Sequence, residues 1–213
     1  MALAVPTEYC DVLPQVESLI ERAQQSPHAE IEGKLGYFDQ RGGFDSGVPL
    51  QTFNRLQRKM ESFAHWERVV EWTDTQDFFF ADSVRGTKTA DGDFFIRKSV
   101  VEHVNLRAPE RQSALRISWK TEQPIQPPTG YPQLVRIKKR KLFCYKRFEF
   151  AFTFVWQGRT VDEAQAKQPL YEVEVECANL DEPRGAKHLA LSLLMKLGDL
   201  LQQPGQPLHL EVM

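Results

Sequence analysis

Two periodicities divide this chain. In three stretches apolar residues recur at steps of three and four, the spacing of an amphipathic helix. Over residues 11–25, "DVLPQVESLIERAQQ", they are Val12, Val16, Leu19, Ile20 and Ala23, with Asp11 near the start. Over 49–63 they are Leu50, Phe53, Leu56, Met60 and Phe63, and over 186–201 Leu189, Leu193, Leu194, Leu197 and Leu200. Between these helices polar and apolar residues alternate one by one, the period of a strand. The runs are "HAEIEGKLGYF", "HWERVVEW", "DFFFADSVRGTKT", "DFFIRKSVVEHVNL", "SALRISWKTE", "LVRIKKRKLFCY", "KRFEFAFTFVW" and "LYEVEVECA". This predicts eight or nine strands, mostly joined by short connections, as antiparallel sheets and barrels allow. "QPIQPPTGYP" reads as a proline-rich connector between two of them.

The polar faces of these strands differ from one another. In "YEVEVEC" Glu172, Glu174 and Glu176 share one face and Val173, Val175 and Cys177 the other. "EIEGK" puts Glu30, Glu32 and Lys34 on one face, and "RIKKR" does the same for Arg136, Lys138 and Arg140. "ALRISWKTE" pairs an apolar face of Leu115, Ile117 and Trp119 with Arg116, Ser118, Lys120 and Glu122. The phenylalanines of "KRFEFAFTFVW" share a face opposite Arg147, Glu149, Ala151 and Thr153. A merely solvated face mixes signs. Here acids concentrate on two strands and bases on a third, which suggests walls that converge on a ligand.

A row of carboxylates repels itself and is tolerable around a hard divalent cation. No histidine sits in a paired metal-ligand motif, so an oxygen-only site for Mg²⁺ or Mn²⁺ is expected. The basic row suits an oxyanion of several charges, and a metal with Arg and Lys clamps is the equipment of phosphoryl transfer. The chain has neither GxxxxGK[ST] nor a kinase-like GxGxxG loop, so strand side chains must hold the phosphate. A CxxxxxR phosphatase loop is also missing, which disfavours a cysteine nucleophile.

Composition narrows the class further. The 213 residues read as a single domain, 1–213, with 41% hydrophobic and 26% charged residues, ordinary for a soluble globular protein. A net charge of −2 argues against a general nucleic-acid coat and leaves local basic sites open. The three cysteines form no CxxC pair and suggest a reducing compartment. The first ten residues lack a secretory signal's basic and apolar regions, and no run of roughly 18 apolar residues would span a membrane.

In this order, "EIEGKLG", "RIKKR", "KRFEF" and "YEVEVE" resemble the triphosphate tunnel metalloenzymes, and within them the fungal, protozoan and viral type of mRNA-capping RNA 5′-triphosphatase. The resemblance runs from about residue 28 to residue 178. It implies an α+β fold: a closed antiparallel eight-stranded β-barrel, a tunnel with a charged lumen, supported by about three outer helices. It also implies removal of the γ-phosphate from triphosphate-ended RNA with Mg²⁺ or Mn²⁺, the first step of cap formation, and a nuclear location. Carried over motif by motif, Glu30, Glu32 and Glu176 match metal ligands. Glu174 matches an essential acid and Glu122 the acid that places the attacking water. Arg85, Lys98, Arg136, Lys138 and Arg140 match the phosphate side, with Lys34 beside them. Arg147 and Glu149 match a catalytic R-x-D pair, with Glu in place of Asp.

The expected partners are 5′-triphosphate RNA and nucleoside triphosphates, with a guanylyltransferase as a further partner and no membrane. The stretch ahead of Glu30 reads mainly as one helix, so a docking segment such as fungal members carry is not expected. Two alternatives stay open. One is a tripolyphosphatase or small organic triphosphatase of the same fold, which shares E-x-E-x-K. The other is a non-catalytic polyphosphate-binding barrel, against which a full set of acids argues.

Overall fold

The computed structural model describes residues 5–109, 113–202 and 208–213. Residues 1–4, part of the stretch read for a signal, lie outside them. Eight strands alternate in direction and close on themselves: β1 (Ala29–Phe38), β3 (Arg68–Phe79), β4 (Val84–Thr89), β5 (Gly92–Ala108), β6 (Ser113–Pro124), β7 (Leu134–Tyr145), β8 (Phe148–Gly158) and β9 (Leu170–Cys177). Around the ring the order is β1–β6–β5–β4–β3–β7–β8–β9 and back to β1, with every pairing antiparallel. Two short strands, β2 (Phe44–Asp45) and β10 (Glu211–Val212), add to β1 and β5. The expected closed eight-stranded barrel is therefore present, and closure removes the open edges of its sheet.

The three long helices α1 (Leu13–Gln24), α2 (Leu50–Glu61) and α4 (Ala186–Leu201) cover the outside. Their apolar stripes, including Val16, Leu19 and Ile20 of α1, Phe53 and Leu56 of α2, and Leu189, Leu193 and Leu197 of α4, are fully buried. The outward faces of the strands meet them. Phe152 of β8 packs edge-on against Phe53 with ring centroids 5.4 Å apart. Gly33 of β1 lets α4 sit close: a Cβ there would come within 2.6 Å of Leu197 Cδ1. The glycine between Glu32 and Lys34 thus serves the outer face while its neighbours point into the lumen. The hydrophobic core lies between barrel and helices, and the lumen is left to charge. Among the described residues no helix is long and apolar enough to cross a membrane.

Two details differ from the sequence reading. "HWERVVEW" and the start of "DFFFADSVRGTKT" belong to one strand, β3, whose register against β7 shifts between Val70 and Thr73. The polar "TDTQ" that reads as a break is carried through by this irregularity. A short helix α3 (Val161–Gln165) is not expected from the apolar pattern, although Thr160 caps it: Thr160 Oγ1 accepts from Glu163 N at 3.2 Å, and the Glu163 carboxylate reaches back to accept from Arg159 N at 2.9 Å.

Candidate active site

The inward residues of the barrel enclose a cavity of about 300 Å³ lined by seven basic side chains and five glutamates. Their positions follow from strand phase and register. On neighbouring β1 and β9, Glu32 lies opposite Glu176 and Lys34 opposite Glu174. Lys98 of β5 lies opposite Glu122 of β6, and Glu30 opposite Lys120. Strand β8 stands between the acidic β9 and the basic β7, and its inward residues there are the small, buried Ala151 and Thr153. That leaves room for β7 to reach across. Arg136 meets Glu172 at 2.7 Å, and Arg140 approaches Glu174 at 3.5 Å while its Nε donates to Thr153 Oγ1 at 3.1 Å.

The acidic wall is held by lysines. Lys98 bridges Glu30 at 2.7 Å and Glu122 at 2.5 Å, and Arg85 adds a contact to Glu122 at 3.2 Å. Glu32 pairs with Lys120 and lies 3.3 Å from Lys34, which also pairs with Glu174. These surroundings pull the carboxyls apart. Burial pushes Glu30 up to about 8; Lys98 opposes it, and Glu176, Glu122 and Glu32 add to it. Glu176 is raised as well, by burial and by Glu32 and Glu174, against Lys98 and Arg140. Burial acts in the same direction on Glu32, but Lys34 and Lys120 overcome it and hold that carboxyl down to about 2. Against burial, Lys34 and Arg140 hold Glu174 well below the usual carboxylate range, and a hydrogen bond from Glu30 with Lys98 and Arg85 lowers Glu122.

On the basic wall burial pushes Lys138 down to about 8, with Arg140 and Arg136 adding to the effect and Asp77 opposing it. Asp77 of β3 is itself buried; it pairs with Lys138 and accepts from Thr87 Oγ1 of β4 at 2.8 Å. A cavity with more cations than carboxylates suits a compact polyanion.

Thirteen site residues are expected from the sequence. The structure brings eleven of them together around this cavity: Glu30, Glu32, Lys34, Arg85, Lys98, Glu122, Arg136, Lys138, Arg140, Glu174 and Glu176. Arg147 and Glu149 do not line this cavity: Arg147 departs from the lumenal wall, which corrects the expectation for it, while Glu149 stays in phase with that wall at its end. Tyr145 and Phe148 are paired across a tight hairpin, so Arg147 falls in the turn beside Lys146, whose φ is 55°. From there its guanidinium turns outward to the Asp181 carbonyl at 2.9 Å and to Glu182 at 3.3 Å. Glu149 keeps the inward phase but sits at the tunnel end, opposite Glu176 and bound to Arg68 at 3.0 Å.

Two residues that matter here escape the sequence reading. Lys120 is in phase with Glu122 and is visible in "RISWKTE". Asp77 heads an otherwise apolar "DFFF", where a lone acid is a faint signal.

As the side chains stand, no trio of acidic, His or Cys groups among the described residues is set to grip a metal ion. The donor set nevertheless fits a hard divalent cation. It is all oxygen, Glu32 and Glu176 are neighbours across β1 and β9, and Glu30 and Glu176 are raised by burial with neighbouring carboxylates adding to it, an effect that added positive charge would oppose.

A family profile for the beta chain of mRNA capping enzymes, the mRNA triphosphatases, matches residues 39–190. The chain belongs to this family. The matched part begins after β1, so it does not include Glu30, Glu32 and Lys34; the barrel itself brings those residues beside the family's segment. Among solved structures, the S. pombe Pct1 RNA triphosphatase superposes with a TM-score of 0.71 at 18% identity, covering 94% of this chain and 93% of that one. The same S. pombe protein in complex with the Spt5 CTD gives 0.72 at 18% identity, over 93% and 94%. The RNA triphosphatase domain of the trifunctional mimivirus mRNA capping enzyme gives 0.62 at 14% identity, over 89% and 97%. At these identities the likeness is one of fold, the triphosphatase tunnel. No curated protein matched by sequence.

Proposed function

We propose that this capping-family triphosphatase removes the γ-phosphate from 5′-triphosphate RNA in a metal-dependent hydrolysis, leaving a diphosphate end for capping. The observation that supports this most is the closed lumen itself: seven basic side chains and five glutamates around about 300 Å³, in a chain of this family. Lys138, Arg140, Arg136 and Arg85 face the triphosphate and neutralise its oxygens as charge moves toward the leaving diphosphate. Lys34 and Lys98 hold the acids in place and meet the phosphate from the opposite wall. Glu30, Glu32 and Glu176 would hold Mg²⁺ or Mn²⁺, which supplies Lewis acidity when bound. Glu122 or Glu174, both kept ionised by basic neighbours, orients or deprotonates the attacking water.

Among the described residues lining the lumen none is set to read a base, so nucleoside triphosphates are proposed as further substrates. A single domain spanning 1–213, a nuclear location and work alongside a guanylyltransferase complete the reading. The test is release of labelled phosphate from γ-labelled RNA, with ATP and tripolyphosphate beside it and with Mg²⁺, Mn²⁺ or chelator present. Cleavage of RNA ends that stops in chelator is expected. Fast cleavage of tripolyphosphate with RNA untouched would replace this function with that of a tripolyphosphatase.

A further inference from the structure

We infer that the RNA body beyond the triphosphate leaves the tunnel at the Glu149 end and lies, single-stranded, in an aromatic and basic groove on the outer wall. This rests on the function proposed above and extends it to the part of the substrate that the lumen cannot hold. A cavity of about 300 Å³ takes the triphosphate end and no run of nucleotides, so the chain must cross the protein surface.

Two clefts of about 510 and 240 Å³ adjoin there and share Tyr145 and Lys196. Tyr145 ends β7 on its outward face. The preceding residue, Cys144, lies opposite Glu149, and Glu149 lies opposite Glu176 of the lumen, so the groove begins beside the tunnel end.

The rings of Phe63, Trp66 and Tyr145 lie 5.0 to 6.5 Å apart. Phe63 is 42% exposed, although the buried core is close at hand. Lys146 and Lys196 both stand over the Tyr145 ring, at 5.3 and 5.6 Å, and among the described residues neither has an ion-pair partner in contact. Of the acids here, Glu182 lies 3.3 Å from each of Arg147, Arg184 and His188, Glu67 accepts from the Lys146 backbone N–H at 2.9 Å, and Asp199 lines the larger cleft without an ion-pair contact to Lys196.

Rings that reach solvent, Phe63 most and Trp66 and Tyr145 in part, beside lysines held in no ion pair among the described residues are what single-stranded RNA requires. Bases of any sequence stack on the rings while phosphates meet the lysines. An acidic peptide could use the lysines but would leave the exposed Phe63 ring unexplained.

The probe is a 5′-hydroxyl RNA of about ten nucleotides, which the enzyme cannot hydrolyse, followed by fluorescence anisotropy over a salt series. Wild type is expected to bind it with a salt-dependent affinity. Replacing both Lys146→Ala and Lys196→Ala should flatten the slope of log affinity against log salt by about 1.4, two single-strand phosphate contacts. Tyr145→Leu keeps apolar packing but loses the π face, and should weaken binding about fivefold or more. Tripolyphosphate turnover should be unchanged in all of them. Wild-type affinity and slope in the double lysine variant, or an equal loss of tripolyphosphate turnover, overturns the groove, as does a wild-type protein that ignores the RNA. If the variants lose RNA binding while wild type hydrolyses no 5′-triphosphate end, the groove stands and the triphosphatase reading fails.

Discussion

Asp77→Asn isolates the electrostatics of the basic wall. Asp77 is 2% exposed and is the only ion-pair partner of Lys138 among the described residues. Arg136 and Arg140 flank Lys138 on β7, Arg85 acts on Asp77, and Glu174 faces it from β9. Asparagine keeps the volume and removes the charge. Losing an opposite charge at contact shifts a group by about 1–3 pKa units. Lys138, already pushed down to about 8, would fall to between roughly 5 and 7. It would then be largely neutral at pH 7.5, and kcat/KM should drop roughly three- to two-hundredfold there, with the deficit shrinking as pH falls. The ratio of variant to wild type across pH cancels the other titrating groups. Stability should move the opposite way. A lysine whose folded pKa lies below its unfolded value leaves the unfolded chain holding more protons. Wild-type stability should therefore rise by roughly 3 kcal/mol in total between pH 8 and pH 10.5, and in the variant the rise should begin at lower pH. A variant-to-wild-type ratio that stays flat from pH 6 to 9 would refute the reasoning.

Other outcomes follow from the same geometry. Glu30→Ala, Glu32→Ala and Glu176→Ala should each lower metal-dependent turnover by roughly a hundredfold or more, and near-normal rates in two of the three would sink the ligand assignment. Phe152→Ala should cost about 3–5 kcal/mol in denaturant melts, because that ring is fully buried against Phe53; a loss below about 1 kcal/mol would contradict the packing. Arg147→Ala should lower stability by about 1–3 kcal/mol through its contacts to Glu182 and the 181 carbonyl while leaving single-turnover rates intact, and a large loss of rate would return this residue to the lumen.

Much of the site is legible in the order of residues. Strand phase alone puts Glu172, Glu174 and Glu176 on one side and Val173 and Val175 on the other, because side chains alternate whatever the strand pairs with. It also groups Arg136, Lys138 and Arg140. The helices are legible for the same reason: their stripes have a period that no neighbour needs to supply. Arg147 is misplaced by a single boundary. "KRFEF" alternates as a strand from its first residue, but Lys146 and Arg147 are consumed by the hairpin that joins Tyr145 to Phe148, and a residue in a turn has no lumenal phase.

Strand and helix periods already say which side chains share a face, that the faces are sorted by charge, and that three helices need an apolar surface to cover. Tertiary structure alone decided who meets whom. It put β6 between β1 and β5, which gives Glu32 the ammonium of Lys120, and it set small Ala151 and Thr153 where Arg140 must cross to Glu174. It also buried Asp77 against Lys138. Alternation is a local property of the backbone. Partnership across a lumen depends on barrel closure and register, which join residues far apart in sequence and leave no period for a reader to find.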